Sequence, residues 1–544
     1  MSCIPQPSWT DSDIVDGRQH ADHVVRTVTP PVILRRLLEL SLCAAVGLMP
    51  LELSADDAVT PLRSLEAALI EAIATAEQSV VALARVPQTA GEGVDRIRAE
   101  SAFGTLPTDS GYIPTDFGSG VIIPGDPDSE ERFVLTAAHV VLGQRTFGGA
   151  LDLETLKSAQ IYVRLASRHV VAAPLVAADQ RSDLAVLRLP LKEAGIPLEA
   201  APPFVYGDAA ALRKGSFVVA LGNPYAIARD GSASASVGIV SNISRRPWPP
   251  RGVLVDPTEQ DLTIHHYGTL LQVDTRLNLG TSGGALINAD GKLVGLTTSL
   301  AALEGYEKSV GYAVPLDAAA QRIIESLRAG YEAEYGFLGI QPGEADPELM
   351  QRLSLQTSQA TAARVRFVSP GSPADEAGLK PNDVILSVNA TAVYSDVDLV
   401  REIGWLGPDA TARLQVVRPE SGKAFDLDAR LAKWPVYDDS LLVTTRERHP
   451  PWRGLHIDYS TARRRYLPAN PLGAFPRGVV VTGVDPGSPA ADAELFEGQF
   501  IVELAGQSIH SPSDFSEAVN AISGEATLQL GDGRTVTLRD SSPR

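Results

Sequence analysis

The chain has 544 residues, too many for one hydrophobic core, so three or four domains are expected. Its 44% hydrophobic and 21% charged residues exclude global disorder. The 66 acidic side chains outnumber 47 basic ones, and no basic stretch stands against them, which argues against a nucleic-acid partner. Both cysteines, Cys3 and Cys43, precede the first globular segment, so the folded domains are expected to hold no disulfide and no thiolate metal site.

Residues 1–61 read as a leader. Within it, Arg35-Arg36 precedes the apolar run Leu37–Met49, and Leu53-Ser54-Ala55 follows, the order of an export signal. Used as one, residues 35–55 would send the protein to the periplasm or cell envelope; otherwise it stays cytoplasmic. The run is short and broken by Glu39, so no integral membrane span is expected.

Residues 62–86 begin with helical spacing and end in the strand-like Val80–Val86. From Gly118 to about residue 315, short apolar runs alternate with turn signals, the pattern of paired β-barrels. Examples are Ile161–Leu165, Leu184–Leu189 and Ser216–Leu221. A helix, Leu316–Arg328, closes a domain placed at 62–330. The paired His265-His266 lacks metal-ligand spacing and reads as a polar loop; no metal or other cofactor is expected.

A repeat follows. Val368-Ser-Pro-Gly-Ser-Pro-Ala374 returns as Val484-Asp-Pro-Gly-Ser-Pro-Ala490, Pro370 to Pro486 being 116 residues apart. Each copy leads into a small helix and an apolar strand, and each follows a Gly-apolar element, Gly336–Ile340 and Arg453–Ile457. Two related modules, 335–433 and 450–541, are the direct reading, joined through Lys433–Arg448.

Chemistry concentrates in three segments. Asn278-Leu-Gly-Thr-Ser282-Gly-Gly sets a hydroxyl among glycines that let the backbone aim the Gly280 and Ser282 amides at one point, as an oxyanion site requires. Upstream lie Thr136-Ala-Ala-His139 and Ser182-Asp183. A base, an orienting carboxylate and a nucleophile in that order read as a serine protease.

These motifs, with Gly118-Ser-Gly and Gly222-Asn-Pro, resemble the HtrA/Deg serine endopeptidases over roughly residues 65–541. The resemblance implies a mainly β chain: a chymotrypsin-like double β-barrel followed by two PDZ domains of α+β type. It implies His139, Asp183 and Ser282 as the triad and Gly280, Thr281 and Ser282 as the oxyanion loop, although Thr281 stands where members often carry Asn. Leu277, Leu300 and Ala301 would line an apolar primary pocket suited to small or medium aliphatic side chains. Segments near 142–158 and 244–266 look like insertions.

In the first PDZ module, Gly336, Phe337, Leu338, Gly339 and Ile340 would receive a peptide C-terminus. The second module looks degenerate, with His456 in place of a glycine, Glu494 in place of Gly378 and Gln499 in place of Asp383. The implied function is ATP-independent cleavage of unfolded or damaged polypeptides, in keeping with the lack of a phosphate-binding loop. The implied assembly is a homotrimer or larger, with Phe103, Tyr112 and Phe117 as candidate contacts. A chaperone or scaffold with little proteolysis is the alternative, and a regulatory protease with one partner is a narrower one.

Overall fold

The computed structural model describes residues 55–86, 116–143, 159–223, 232–245, 263–298, 310–437 and 442–540, apart from 279, 354–358 and 470–472. The candidate export segment at 35–54, Phe103, Tyr112, Leu300, Ala301 and most of the two expected insertions lie outside them.

A helix, Ala55–Ala76, leads into β1 (Val80–Val86), whose inward residues alternate with half-buried ones. The first sheet adds β2 (Asp116–Pro124), β3 (Arg132–Ala137), β4 (Gln160–Arg164), β5 (Val170–Ala172), β6 (Leu175–Asp179) and β7 (Leu184–Leu189). Its seven strands run in the order β5-β4-β1-β2-β3-β7-β6. Nearly every residue of β7 is buried, which accounts for its continuous apolar run.

The second half contains β8 (Phe217–Gly222), β9 (Ser234–Arg245), β10 (Leu270–Val273), β11 (Ala285–Ile287), β12 (Leu293–Thr298) and β13 (Gly311–Pro315). These close into a barrel, β10-β13-β12-β11-β8-β9. The helix Ala318–Arg328 turns Ile323, Ile324 and Leu327 into the core, its first turn capped by the Asp317 carboxylate.

Both repeats build the same sheet. The first uses β14 (Gly336–Phe337), β15 (Ile340–Ala345), β16 (Ala362–Val368), β17 (Val384–Val388), β18 (Thr391–Ala392), β19 (Thr411–Arg418), β20 (Lys423–Arg430) and β21 (Ala432–Lys433). Its order is β15-β16-β17-β19-β20, with β14 paired to β21. The second, from β22 (Leu455–Tyr459) through β23 (Val479–Val484), β24 (Phe500–Leu504), β25 (Gln507–Ser508) and β26 (Ala526–Leu530) to β27 (Thr535–Leu538), runs β22-β23-β24-β26-β27. The shared Ser-Pro has a mechanical reason. Ser372 and Ser488 cap short helices whose first positions are Pro373 and Pro489, where a missing N–H costs nothing.

The expected joint at 433–448 starts from a buried junction. Lys433 is 1% exposed, and its ammonium meets Glu332 at 3.0 Å, Glu334 at 3.1 Å and Asp458 at 2.9 Å. These carboxylates come from the approach to the first PDZ domain and from β22, so one cation ties three stretches of chain. Val443 adds a backbone bond from Ala178 N–H of β6 at 2.9 Å. Burial alone would raise the pKa of Glu332, but Lys433, Arg463 and Arg181 overcome it and hold the group at about 2.

Removing the cation leaves buried carboxylates facing one another. Lys433→Met is therefore expected to destabilise the protein by about 3–5 kcal/mol, measurable by urea titration followed through tryptophan fluorescence. The Glu332 share of stability is present above its unfolded pKa of about 4.3 and is lost as pH falls toward 2. An unchanged denaturation midpoint for Lys433→Met would remove the junction from the stability account.

Candidate active site

His139 sits in the first turn of the helix Ala138–Leu142, which begins where β3 ends. Asp183 lies in the turn between β6 and β7, the strand paired with β3, so the ladder sets the two side by side. The imidazole Nδ1 is 2.9 Å from Asp183 Oδ1 and 3.0 Å from Oδ2, and His139 N–H donates to Oδ1 at 3.1 Å. Thr298 on β12 of the second barrel donates its hydroxyl to Oδ2 at 3.1 Å. Asp183 is 4% exposed and has φ of +54°, a left-handed conformation that costs a non-glycine residue about 1 kcal/mol.

The electrostatics follow from this enclosure. Burial disfavours the imidazolium, but the Asp183 carboxylate outweighs it and raises the His139 pKa above its ordinary value. Burial likewise disfavours ionised Asp183, and the charge and hydrogen bonds of His139 reverse that, lowering its pKa. The pair favours a charged imidazole beside an ionised carboxylate.

The Ser282 loop is folded by its own amides. Thr281 N–H and hydroxyl both donate to Asn278 O, at 3.0 and 2.7 Å. Thr281 is thus a turn-former within the expected oxyanion loop, its amide taken up by Asn278 O. Its carbonyl accepts from Gly284 N–H at 2.9 Å and Thr297 Oγ at 2.6 Å. Across the trans peptide, the Ser282 N–H must point the opposite way. Gly283, at φ +81°, packs so closely that a Cβ would lie 2.2 Å from Ser119 O and 3.0 Å from Ala137 N. That contact brings the loop against the start of the His139 helix.

Sequence reading missed Ser119. Its hydroxyl donates to Gly280 O at 2.7 Å, its N–H donates to Ser282 O at 2.8 Å, and its Oγ accepts from Asn223 N–H at 2.9 Å. One wholly buried serine thus holds two carbonyls of the nucleophile loop. Only its place in Gly118-Ser-Gly could have signalled it. His265 was misjudged: it is wholly buried, with Nε2 2.9 Å from Ser182 O and Nδ1 2.7 Å from Thr269 Oγ. Those partners fit a neutral ring donating from Nε2, and burial lowers its pKa accordingly.

Leu277 is half-buried against the second barrel, close to Gly311. Phe117 packs beside Gly280, where a Cβ would lie 2.6 Å from its ring. In the first PDZ module Gly339 has φ of +80°, and a Cβ there would meet Ser372 at 2.3 Å. Ile340 begins β15, which lies at the edge of its sheet.

The second module corrects the alignment. Leu455 pairs with Val484 as Ile340 pairs with Val368, so Gly454, at φ +78° beside Ser488, is the counterpart of Gly339. His456 replaces no glycine. Glu494 keeps the left-handed turn of Gly378, at φ +57°, and Gln499 still caps the Phe496 N–H as Asp383 caps Lys380. What differs is the edge. Trp452 exchanges hydrogen bonds with both N–H and C=O of Leu455, at 2.9 and 3.0 Å, groups that an added strand would use.

Residues 118–296 match the trypsin-like peptidase domain, and residues 336–429 and 480–529 each match a PDZ domain. The chain is 28% identical over 413 residues to a probable periplasmic serine endoprotease DegP-like of Chlamydia trachomatis, covering 76% of this chain and 71% of that one. It is 27% identical over 406 residues to the protein of the same description in Hahella chejuensis, with 74% and 75% covered. The solved HtrA-type protease AlgW with tripeptide aligns at 24% identity and a TM-score of 0.46, over 68% of this chain and 97% of that one. A trypsin-like peptidase domain followed by two PDZ domains, with relatives described as serine endoproteases, makes this chain a serine endopeptidase similar to the DegP-like proteins.

Proposed function

We propose that Ser282 is the nucleophile, His139 its general base and Asp183 the group that orients and charges the imidazole. The observation that carries this is the bidentate contact between His139 Nδ1 and a buried Asp183. Holding Nδ1 as donor leaves Nε2 the basic nitrogen, the tautomer that takes a proton from a serine hydroxyl. Attack on a peptide carbonyl places negative charge on its oxygen, which the Ser282 amide, with that of Gly280, stabilises. The protonated imidazole then returns its proton to the leaving amine, and water releases the acyl group.

The substrates are unfolded or damaged polypeptides, and Leu277 helps to favour small or medium aliphatic side chains at the cleavage position. A buried cation would find no partner against such a wall. The first PDZ domain takes C-terminal peptides as an added strand along β15, with residues 336–340 at the carboxylate. The second acts in assembly or spacing because Trp452 already closes onto Leu455. The working form is a homotrimer or larger in the periplasm, the compartment named for the relatives.

Ser282→Ala is expected to abolish labelling by a fluorophosphonate and to cut casein degradation by about 10⁴-fold or more. Retained labelling would remove Ser282 from its role. Because His139 must be neutral to act as base and its pKa is raised, kcat/KM on a peptide ester should climb through an inflection above about 6.5. Asp183→Asn should lower kcat by about 10⁴-fold; a small loss would contradict the orienting role.

For the PDZ assignment, Gly339→Ala puts a Cβ onto Ser372 at a positive φ. Binding of fluorescent C-terminal peptides to the full chain carrying Ser282→Ala should weaken at least tenfold, whereas Gly454→Ala should change it little. The reverse ranking would assign the peptide to the second domain.

A further inference from the structure

Asp183 depends on Ser182, the residue before it, and Ser182 is held on three sides. Its N–H and its hydroxyl both donate to Asp179 Oδ2, at 3.0 and 2.7 Å, and its carbonyl accepts from His265 Nε2 at 2.9 Å. Asp179 Oδ2 takes a third donor, the phenol of Tyr335. Its other oxygen, Oδ1, accepts from Arg181 Nε at 3.0 Å. Asp179, Ser182 and Tyr335 are 4%, 1% and 1% exposed, so water offers no substitute for these bonds.

Asp179 ends β6 and Ser182 lies in the turn that follows, but Tyr335 belongs to neither. It stands one residue before β14, at the threshold of the first PDZ domain, 156 residues along the chain from Asp179. Its carbonyl accepts from Trp434 N–H at 2.8 Å, and its ring lies under the Arg181 guanidinium at 4.6 Å. Arg181 in turn reaches Glu332 and the Ala333 carbonyl. The phenol is thus set by chain outside the protease barrels, yet it ends on the carboxylate that pins the residue preceding Asp183.

We propose that Asp179 is a positioning residue for the triad, and that Tyr335 completes the clamp that keeps Asp183 aligned with His139. The inference rests on the triad reading above. A left-handed Asp183 relaxes toward ordinary backbone angles once Ser182 is released, and its carboxylate then turns from Nδ1. The predicted signature is a loss in turnover rather than in binding. His139 also loses part of the support that raises its pKa, so the acid limb of the rate profile moves to lower pH. The charged or titratable groups bearing on this pair are Asp183 itself, His265 behind Ser182, and Asp179 with Arg181.

The test uses the full chain and a peptide ester. Tyr335→Phe keeps the ring and removes one donor, and Ser182→Ala removes the hydroxyl alone. Each is expected to lower kcat about tenfold with KM within twofold, and to shift the acid limb of kcat/KM downward by half a pH unit or more. A folded variant with wild-type kcat, or one whose kcat falls with the acid limb unmoved, overturns the positioning role. Ser282→Ala and His139→Ala run in parallel separate the two readings. If either still turns over at the wild-type rate the triad assignment has failed, whereas if both are inactive and Tyr335→Phe is normal, only the clamp has.

Discussion

One buried carboxylate organises the catalytic half of the molecule. Asp183 accepts from the His139 ring, from the His139 backbone and from Thr298, so the first sheet and the second barrel meet on its two oxygens. An ionised group in so little water is tolerable only because each of its oxygens finds donors. That requirement is also what makes the geometry definite: a carboxylate with three fixed donors has few orientations left. The positive φ at Asp183 is the local cost of reaching them.

The nucleophile loop is governed by the same principle with neutral groups. Glycines at 280 and 283 permit the turn, but permission is not direction. Direction comes from two short residues that occupy carbonyls: the Ser119 hydroxyl holds that of Gly280 and its N–H that of Ser282, and the Thr297 hydroxyl holds that of Thr281. The Thr281 carbonyl, fixed inward by Thr297 and Gly284, turns the Ser282 amide across its peptide the other way, which is how a loop without charged groups can aim a donor.

The PDZ modules are joined to the protease by polar contacts at buried positions rather than by an open linker. Lys433 gathers carboxylates from both PDZ modules' flanks, and Arg181 carries the same network to the turn before Asp183. Such a junction resists small displacements, because shifting any one partner leaves a charge unpaired away from water. The two modules and the turn before Asp183 therefore share one network of ion pairs.

Much of this was legible in the amino-acid order. Alternating apolar runs announced the strands, glycines around Ser282 announced the turn, and the returning Pro-Gly-Ser-Pro announced two copies of one domain. Those signals are local, since period, turn chemistry and helix capping act within a few residues. Contacts between distant segments left no comparable trace. Ser119, Thr298, Asp179 and Tyr335 are ordinary residue types whose role exists only once strands far apart in the chain are laid side by side. His265 looked like surface because two adjacent histidines carry no sign of burial, and a misregister of two residues hid Gly454 behind His456. The chain by itself determined the strand pattern, the repeat and the motifs that carry the proposed triad; tertiary packing alone decided what holds them, because a hydrogen bond across 156 residues is a property of the folded arrangement and not of any stretch of sequence.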